Sequence, residues 1–395
     1  MSERRMIYLD HAATTAVDPG VVEAMLPYFT ERYGNASSAY SMGREARRAL
    51  EQARADVAEI FSCSPEEIIF TSCGTESDNL AIRGVAWMNR QRGDHIITSP
   101  VEHHAVSYTC EQLEKRFGCD VTYLPVDKYG RVDPMDVEAA INDRTVLITI
   151  MYANNEVGTI EPIAEIGRVA RKHGIPFHTD AVQAAGALSL DVQELGVDLL
   201  SISAHKFHGP KGVGALYARQ GVPLLPIQTG GGHEQNRRAG TENVPYIVGL
   251  AAALKLAAER RREASRRIST LRDRLIEGLR SSIPHCQLTG HPTERLPNNA
   301  NFVFEYVDGE GILLGLDMEG ICASSGSACA TGSADPSHVL LAMGIPPEVA
   351  RGSLRMTLGR ENTEEDVDRV LEVLPGIVER LRAMSPLYAG SPAKH

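Results

Sequence analysis

Short apolar runs alternate with amphipathic helical patterns through the first two thirds of this 395-residue chain, and that alternation leaves few folds open. "EARRALEQARADVAEIF" (45–61) places Ala46, Ala49, Leu50, Ala53, Val57 and Ile60 on one helical face. Strand-like runs follow near 67–72, 95–100, 121–126, 145–152, 175–179 and 197–203, with helical patterns starting at Thr75 and spanning 105–117 and 163–173. Near-continuous apolar strands spaced by helices predict the α/β class, with a mostly parallel sheet flanked by helices. In such sheets ligands collect at the carboxyl ends of the strands.

The alternation stops near residue 243. The stretch 244–283 reads as one long helix or two joined ones, and shorter strands and helices follow it. The expected organisation is a large domain over 16–262 and a smaller α+β domain over 263–395. The strip 1–15 joins the smaller domain or the active site. An apolar content of 43% with 23% charged residues is ordinary for a globular protein, and a net charge of −11 argues against a nucleic-acid surface. "MSERRMIYLDHAATT" has no apolar core of a signal peptide, and "YIVGLAAALKLAA" (246–258), broken by Lys255, is too short to span a bilayer. A cytoplasmic enzyme without membrane contact is expected. The seven cysteines (63, 73, 110, 119, 286, 322 and 329) are scattered without a CxxC pair, so no metal site is expected.

The expected strand ends share one property. They carry Gly74, Thr75 and Glu76; Glu102, His103 and His104; Asn154, Asn155 and Glu156; Asp180 and Gln183; and, in "SISAHKFHGPKG" (201–212), His205 and Lys206. Taken singly, each has a plain structural explanation: a helix cap, a polar loop, an exposed lysine. Taken together, five adjacent strand ends are expected to bring reactive side chains to one edge, and a single ligand accounts for them all. Gly74 and Thr75 at a helix start suit a phosphate, with Ser203 and His205 as further donors. Asp180 suits a cationic ring nitrogen, a histidine supplies a flat face, and a crowded lysine can bond an aldehyde. That ligand is pyridoxal 5'-phosphate, an electron sink.

With those residues in view, the chain resembles the cysteine desulfurases of the NifS/IscS type, which are class-V aminotransferase-like, fold-type I pyridoxal phosphate enzymes. The resemblance runs through "YLDHAATT" (8–15), "FTSCGTESDNLAI" (70–82), "NNEVGTI" (154–160), "HTDAVQAAG" (178–186) and "SAHKFHGPKGVGALY" (203–217). It continues through "GGGHEQNRRAGTENV" (230–244), "SSGSACATGSADPSHVLLAMG" (324–344) and "LRMTLGR" (354–360), and so covers nearly the whole chain. It implies that Lys206 carries the cofactor, His103 stacks on its ring, Asp180 pairs with the ring nitrogen and Gln183 with the ring hydroxyl. It also implies that Gly74, Thr75, Ser203 and His205 hold the phosphate and that Thr241 reaches the phosphate of a second subunit, making a homodimer. Asn155 and Arg355 are implied to fix the substrate carboxylate, a task suited to a planar guanidinium.

Cys329 is the implied sulfur acceptor. Its surroundings, "SSGSACATGS", are small and offer no apolar packing for a buried thiol, whereas Cys322 on the preceding strand suits a structural one. Two departures from the family pattern stand out. Tyr40 occupies the place of a histidine in "NASSAY" (35–40), and Ala330 follows the acceptor cysteine in place of Ser or Thr. The spacing from Cys329 to Pro336 resembles that of the longer-loop members, which pass sulfur to iron–sulfur scaffold proteins. The implied reaction converts L-cysteine to L-alanine and leaves a persulfide on Cys329. A selenocysteine lyase, or another pyridoxal-dependent β-lyase, would use the same cofactor residues, and a need for Cys329 separates them. A catalytically silent assembly partner would not need Lys206, Asp180 and Cys329 together.

Overall fold

The computed structural model describes residues 5–325, 335–386 and 388. Among these the strands are β1 (Ile7–Tyr8), β2 (Ile68–Thr71), β3 (His95–Thr98), β4 (Asp120–Tyr123), β5 (Thr145–Thr149) and β6 (Phe177–Asp180). They continue as β7 (Leu199–Ser203), β8 (Gly214–Ala218), β9 (Cys286–Leu288), β10 (Asn299–Phe304), β11 (Ile321–Cys322) and β12 (Ser353–Thr357).

A seven-stranded sheet runs in the order β2-β8-β7-β6-β5-β3-β4. Its β7-β6-β5-β3-β4 portion is parallel, as the alternation of strands and helices predicts. Strands IIFT, TVLIT and LLSIS are buried at every position, because helices cover both faces. The helix Ser41–Phe61 buries Ala46, Leu50, Ala53, Val57 and Phe61 and packs on the helix Val244–Ser282.

One expectation needs correction. The five strand ends are not all adjacent: β8, where no strand is expected from the sequence, lies antiparallel between β2 and β7. Antiparallel to both, it leaves β2 pointing the same way as β7, so the β2 end still opens on the same edge. Only glycine fits at the start of β8, since a Cβ on Gly214 would lie 2.7 Å from the Cys73 carbonyl carbon.

The stretch after 243 is one unbroken helix, Val244–Ser282, with Asn243 accepting from the Tyr246 N–H at its start. Its first half (Ile247, Leu250, Leu254) belongs to the core under the large sheet. Its second half (Leu271, Leu275, Leu279) packs instead with Phe302, Phe304, Leu354 and Met356 of the antiparallel sheet β9-β10-β12. The helix Glu364–Met384 closes that second core and starts with a Thr363/Asp366 capping box. The N-terminal strip pairs β1 with β11, buries Leu9 in the second core and bridges Asp10 to Thr357. It then crosses to the large sheet. Among the described residues no helix is long and apolar enough to cross a membrane.

Candidate active site

Lys206 closes a 3-10 turn, Ala204–Lys206, directly after β7. Its Nζ donates to the carbonyls of Ala12 (2.6 Å) and Ala13 (2.9 Å) in the N-terminal strip. The same strip grips the neighbouring residue: Thr14 Oγ1 meets His205 Nδ1 at 3.1 Å, and the Thr15 N–H and hydroxyl both donate to the His205 carbonyl. Gln183 Nε2 also donates to Ala12 O, at 2.9 Å. Neither Ala12 nor Ala13 carries a chemical signal in the sequence, because it is their carbonyls that act.

Asp180 ends β6, is buried, and accepts from the Val182 N–H at 2.9 Å. Burial pushes its carboxyl up to about 6, opposed by that hydrogen bond and by the Lys206 ammonium. His103 precedes the helix His104–Phe117 and caps it, its Nδ1 accepting from the Ala105 N–H at 3.1 Å. Burial, with Lys206 and His338 adding to it, lowers His103 to about 4, so the ring is neutral and its proton sits on Nε2. Burial and the two nearby lysines, Lys206 and Lys211, likewise bring His205 down to about 4.

The turn from β2 into the helix Gly74–Met88 lies against the ends of β6 and β7. A Cβ on Gly74 would come within 2.6 Å of Val182 Cγ2 and 3.4 Å of Ser203 Cβ, so only glycine lets the backbone approach this closely. The N-cap is Cys73 rather than Gly74 or Thr75, and its side chain makes no cap bond. Thr75 is exposed and Ser203 is buried. The result is a helix start whose first backbone N–H groups lie at the ends of β6 and β7, suited to an anion.

Beneath Asp180 lies a layer that the sequence reading gives no role. His178, two residues earlier on β6, bonds Thr149 Oγ1 at 2.8 Å and Ser201 Oγ at 3.0 Å, and burial lowers it to about 3. Asp78 Oδ1 lies 3.5 Å from His178 Nε2; burial and the neighbouring Asp180 push this carboxyl well up. Glu102 accepts from Ser99 Oγ and the Met151 N–H, and burial raises it to about 8, which favours the protonated acid at neutral pH. The i, i+2 spacing of His178 and Asp180 was the available signal, since it puts both on one face of a strand. Asp180 thus tops a layer of groups held neutral and remains the carboxylate best placed to meet a cation.

Arg355 in β12 is 4% exposed. Its Nη1 donates to Asn155 O at 2.9 Å and its Nη2 pairs with Asp10 Oδ1 at 2.8 Å, while Nε is buried with no hydrogen-bond partner among the described residues. Asn155 therefore meets Arg355 through its backbone carbonyl. Thr241 is exposed, and the segment before it is tied to the helix Gly74–Met88 by Arg238–Glu76 at 2.7 Å. Tyr40 is 61% exposed at the start of the helix Ser41–Phe61. Cys329 lies outside the described residues. Lys206, His205, Gln183, Asp180, His103, Gly74 and Ser203 come to one edge, with Arg355 and Asn155 joined to it by the N-terminal strip. No group of three or more His, Cys, Asp or Glu side chains among the described residues could hold a metal ion.

A family model described as aminotransferase class-V matches residues 7–370. A cysteine desulfurase IscS from Methanosarcina thermophila is 57% identical over 98% of this chain and 95% of its own length. Another from Clostridium botulinum is 52% identical over 97% of each. Among solved structures, a NifS-like protein superposes with a TM-score of 0.90 at 41% identity, covering 95% of this chain and all of the other. SspA in complex with cysteine superposes at 0.80 with 38% identity, covering 90% of this chain and 100% of that one.

Proposed function

Because this chain belongs to the class-V aminotransferase family and, within it, to the cysteine desulfurases, we propose that it takes sulfur from L-cysteine, leaving L-alanine and a persulfide on Cys329. The observation that carries this reading is the meeting of Lys206, Asp180 and His103 beside the helix start at Gly74. The donor set fits pyridoxal 5'-phosphate. The helix start at Gly74 with Thr75, Ser203 and His205 would take the phosphate, Asp180 the ring nitrogen, Gln183 the ring hydroxyl, and His103 the ring face. When bound, the cofactor supplies an electron sink that acidifies the substrate α-carbon.

The protein's own groups do the rest. The Lys206 Nζ removes the α-proton and later returns a proton to carbon. Asn155 and Arg355 hold the substrate carboxylate, which fixes the thiol end of the substrate relative to Cys329. A neutral His103 can accept the thiol proton of Cys329 only at Nδ1, because Nε2 already carries the ring proton, and so must release the Ala105 N–H to do it. The Cys329 thiolate forms an S–S bond with the substrate sulfur as the substrate C–S bond breaks, and the carbon keeps that electron pair and gains a proton. Two thiols become one persulfide and one methyl group, so no outside oxidant or reductant is needed.

The sulfur passes from Cys329 to an iron–sulfur scaffold protein in the cytoplasm. The working unit is a homodimer in which Thr241 reaches the partner's phosphate, a role its exposure supports. Residues 16–262 form the cofactor domain, and 1–15 with 263–395 form the smaller one that carries Cys329. The test is Cys329→Ser. The variant should bind the cofactor and change its absorbance with L-cysteine, make no persulfide, and form alanine several orders of magnitude more slowly, since a hydroxyl is a poor nucleophile toward sulfur. Alanine formation at near wild-type rate, or wild-type persulfide mapped to Cys322, would overturn the assignment.

A further inference from the structure

The Arg355 guanidinium is set up for two carboxylates and holds only one. Nη1 is fixed on Asn155 O, Nη2 is on Asp10 Oδ1, and the buried Nε–H points at no acceptor among the described residues. A substrate carboxylate that binds this guanidinium side-on takes the Nε–Nη2 edge. It must then share or replace Asp10 at Nη2, and two carboxylates on one nitrogen in a site this buried repel each other. We infer that Asp10 is a displaceable latch: it occupies Arg355 when no substrate is bound, yields Nη2 to the substrate carboxylate, and takes it back as L-alanine leaves.

Three features support the exchange. The backbone around Asp10 is anchored on both sides, by Thr357 N–H to Leu9 O at 2.7 Å and His11 N–H to Thr357 O at 3.3 Å. Release is therefore a rotation of one short side chain and needs no movement of the strip. Asp10 is also the more accessible partner, with its side chain 19% exposed against 5% for Arg355, so water can solvate the freed carboxylate. Finally, among the described residues Asp10 is the acid that pairs with the guanidinium at 2.8 Å, while Glu156 nearby accepts from Ser337 Oγ and is raised to about 7 by burial. Asp10 is a positioning residue that acts through Arg355.

The latch rests on Arg355 receiving the substrate carboxylate, and the experiment separates the two ideas. In cofactor-loaded enzyme, Asp10→Asn keeps the shape and a hydrogen-bond acceptor but removes the competing charge. L-Alanine, titrated by cofactor absorbance, should bind about tenfold more tightly, the shift expected when a competing charge contact is lost. The KM for L-cysteine should fall while kcat does not rise, because product leaves more slowly, and Asp10→Glu should restore wild-type affinity. Unchanged or weaker L-alanine binding in Asp10→Asn overturns the latch. Arg355→Lys, run alongside, should weaken L-alanine binding; if it does not, the carboxylate role of Arg355 itself fails. If Asp10→Asn does not fold, a crystal structure of the wild type with L-alanine decides: an Asp10–Arg355 pair still at hydrogen-bond distance overturns the latch, and a separated pair supports it.

Discussion

The carboxyl edge of the seven-stranded sheet and the interior of the three-stranded sheet bury opposite kinds of side chain. The first encloses Asp78, Glu102, His178 and Asp180, each less than a tenth exposed. The second is built from Ala300, Phe302, Phe304, Leu354 and Met356, and Arg355 is the one charged side chain on its strands. Burying an ionisable group costs several kcal/mol unless it is paired or neutralised, whereas burying apolar area is the main source of stability. The difference teaches where each property of this protein resides. The large-sheet edge holds its groups at some cost in stability and gains reactive protonation states. The small sheet supplies stability and one fixed cation.

That division makes Lys206→Ala the sharpest probe. Alanine formation should fall by several orders of magnitude and borohydride should no longer fix the cofactor to the chain, while losing the bonds to the Ala12 and Ala13 carbonyls should cost no more than about 1–3 kcal/mol in unfolding. In the wild type, peptide mapping after borohydride should find the label on Lys206; label on Lys211 would break the comparison at its centre.

The opposite outcome belongs to the second core. Phe302→Ala should cost about 3–5 kcal/mol in denaturant unfolding, the usual penalty for emptying a fully buried phenylalanine site. Cofactor absorbance per folded molecule should not change. A loss of stability below about 1 kcal/mol would mean that the small sheet is not where stability is concentrated.

The smallest expected effect tests the layer under Asp180. His178 has its folded pKa lowered to about 3, so between that value and the ordinary histidine range the unfolded chain holds a proton that the native state lacks. Stability therefore rises with pH across this window and is lost on acidification, by about 2 kcal/mol between pH 7 and pH 5 for this one group. Glu102, raised to about 8, acts the other way: the native state holds the extra proton, so its contribution falls as pH rises from the ordinary carboxyl range. His178→Gln removes only the first effect. Unfolding measured at pH 7 and pH 5 should show the variant losing about 2 kcal/mol less than the wild type. Equal losses would show that His178 titrates normally and that the layer is not a neutral one.

Local pattern was enough to place most of this site. His103, Asp180, Ser203 and Lys206 each end or follow a strand whose apolar run is visible in the sequence, and parallel strands necessarily bring their ends to one edge. What periodicity left open was which strands are neighbours. β8 is not marked as a strand by the sequence pattern, and only backbone pairing to β2 and β7 makes it one and sets it between them.

The sequence by itself determined most of the strand and helix alternation up to β7, the composition of the strand ends and the residues that resemble the family. Its information is local, because side-chain periods of 2 and 3.6 residues extend only as far as one element. The tertiary structure alone decided that Ala12 and Ala13, 194 and 193 positions from Lys206, offer it their carbonyls, and that Asp10 meets Arg355 from 345 positions away. Backbone carbonyls are the same at every residue and carry no sequence mark. A charge pair this distant forms only where two sheets and a connecting strip are packed together.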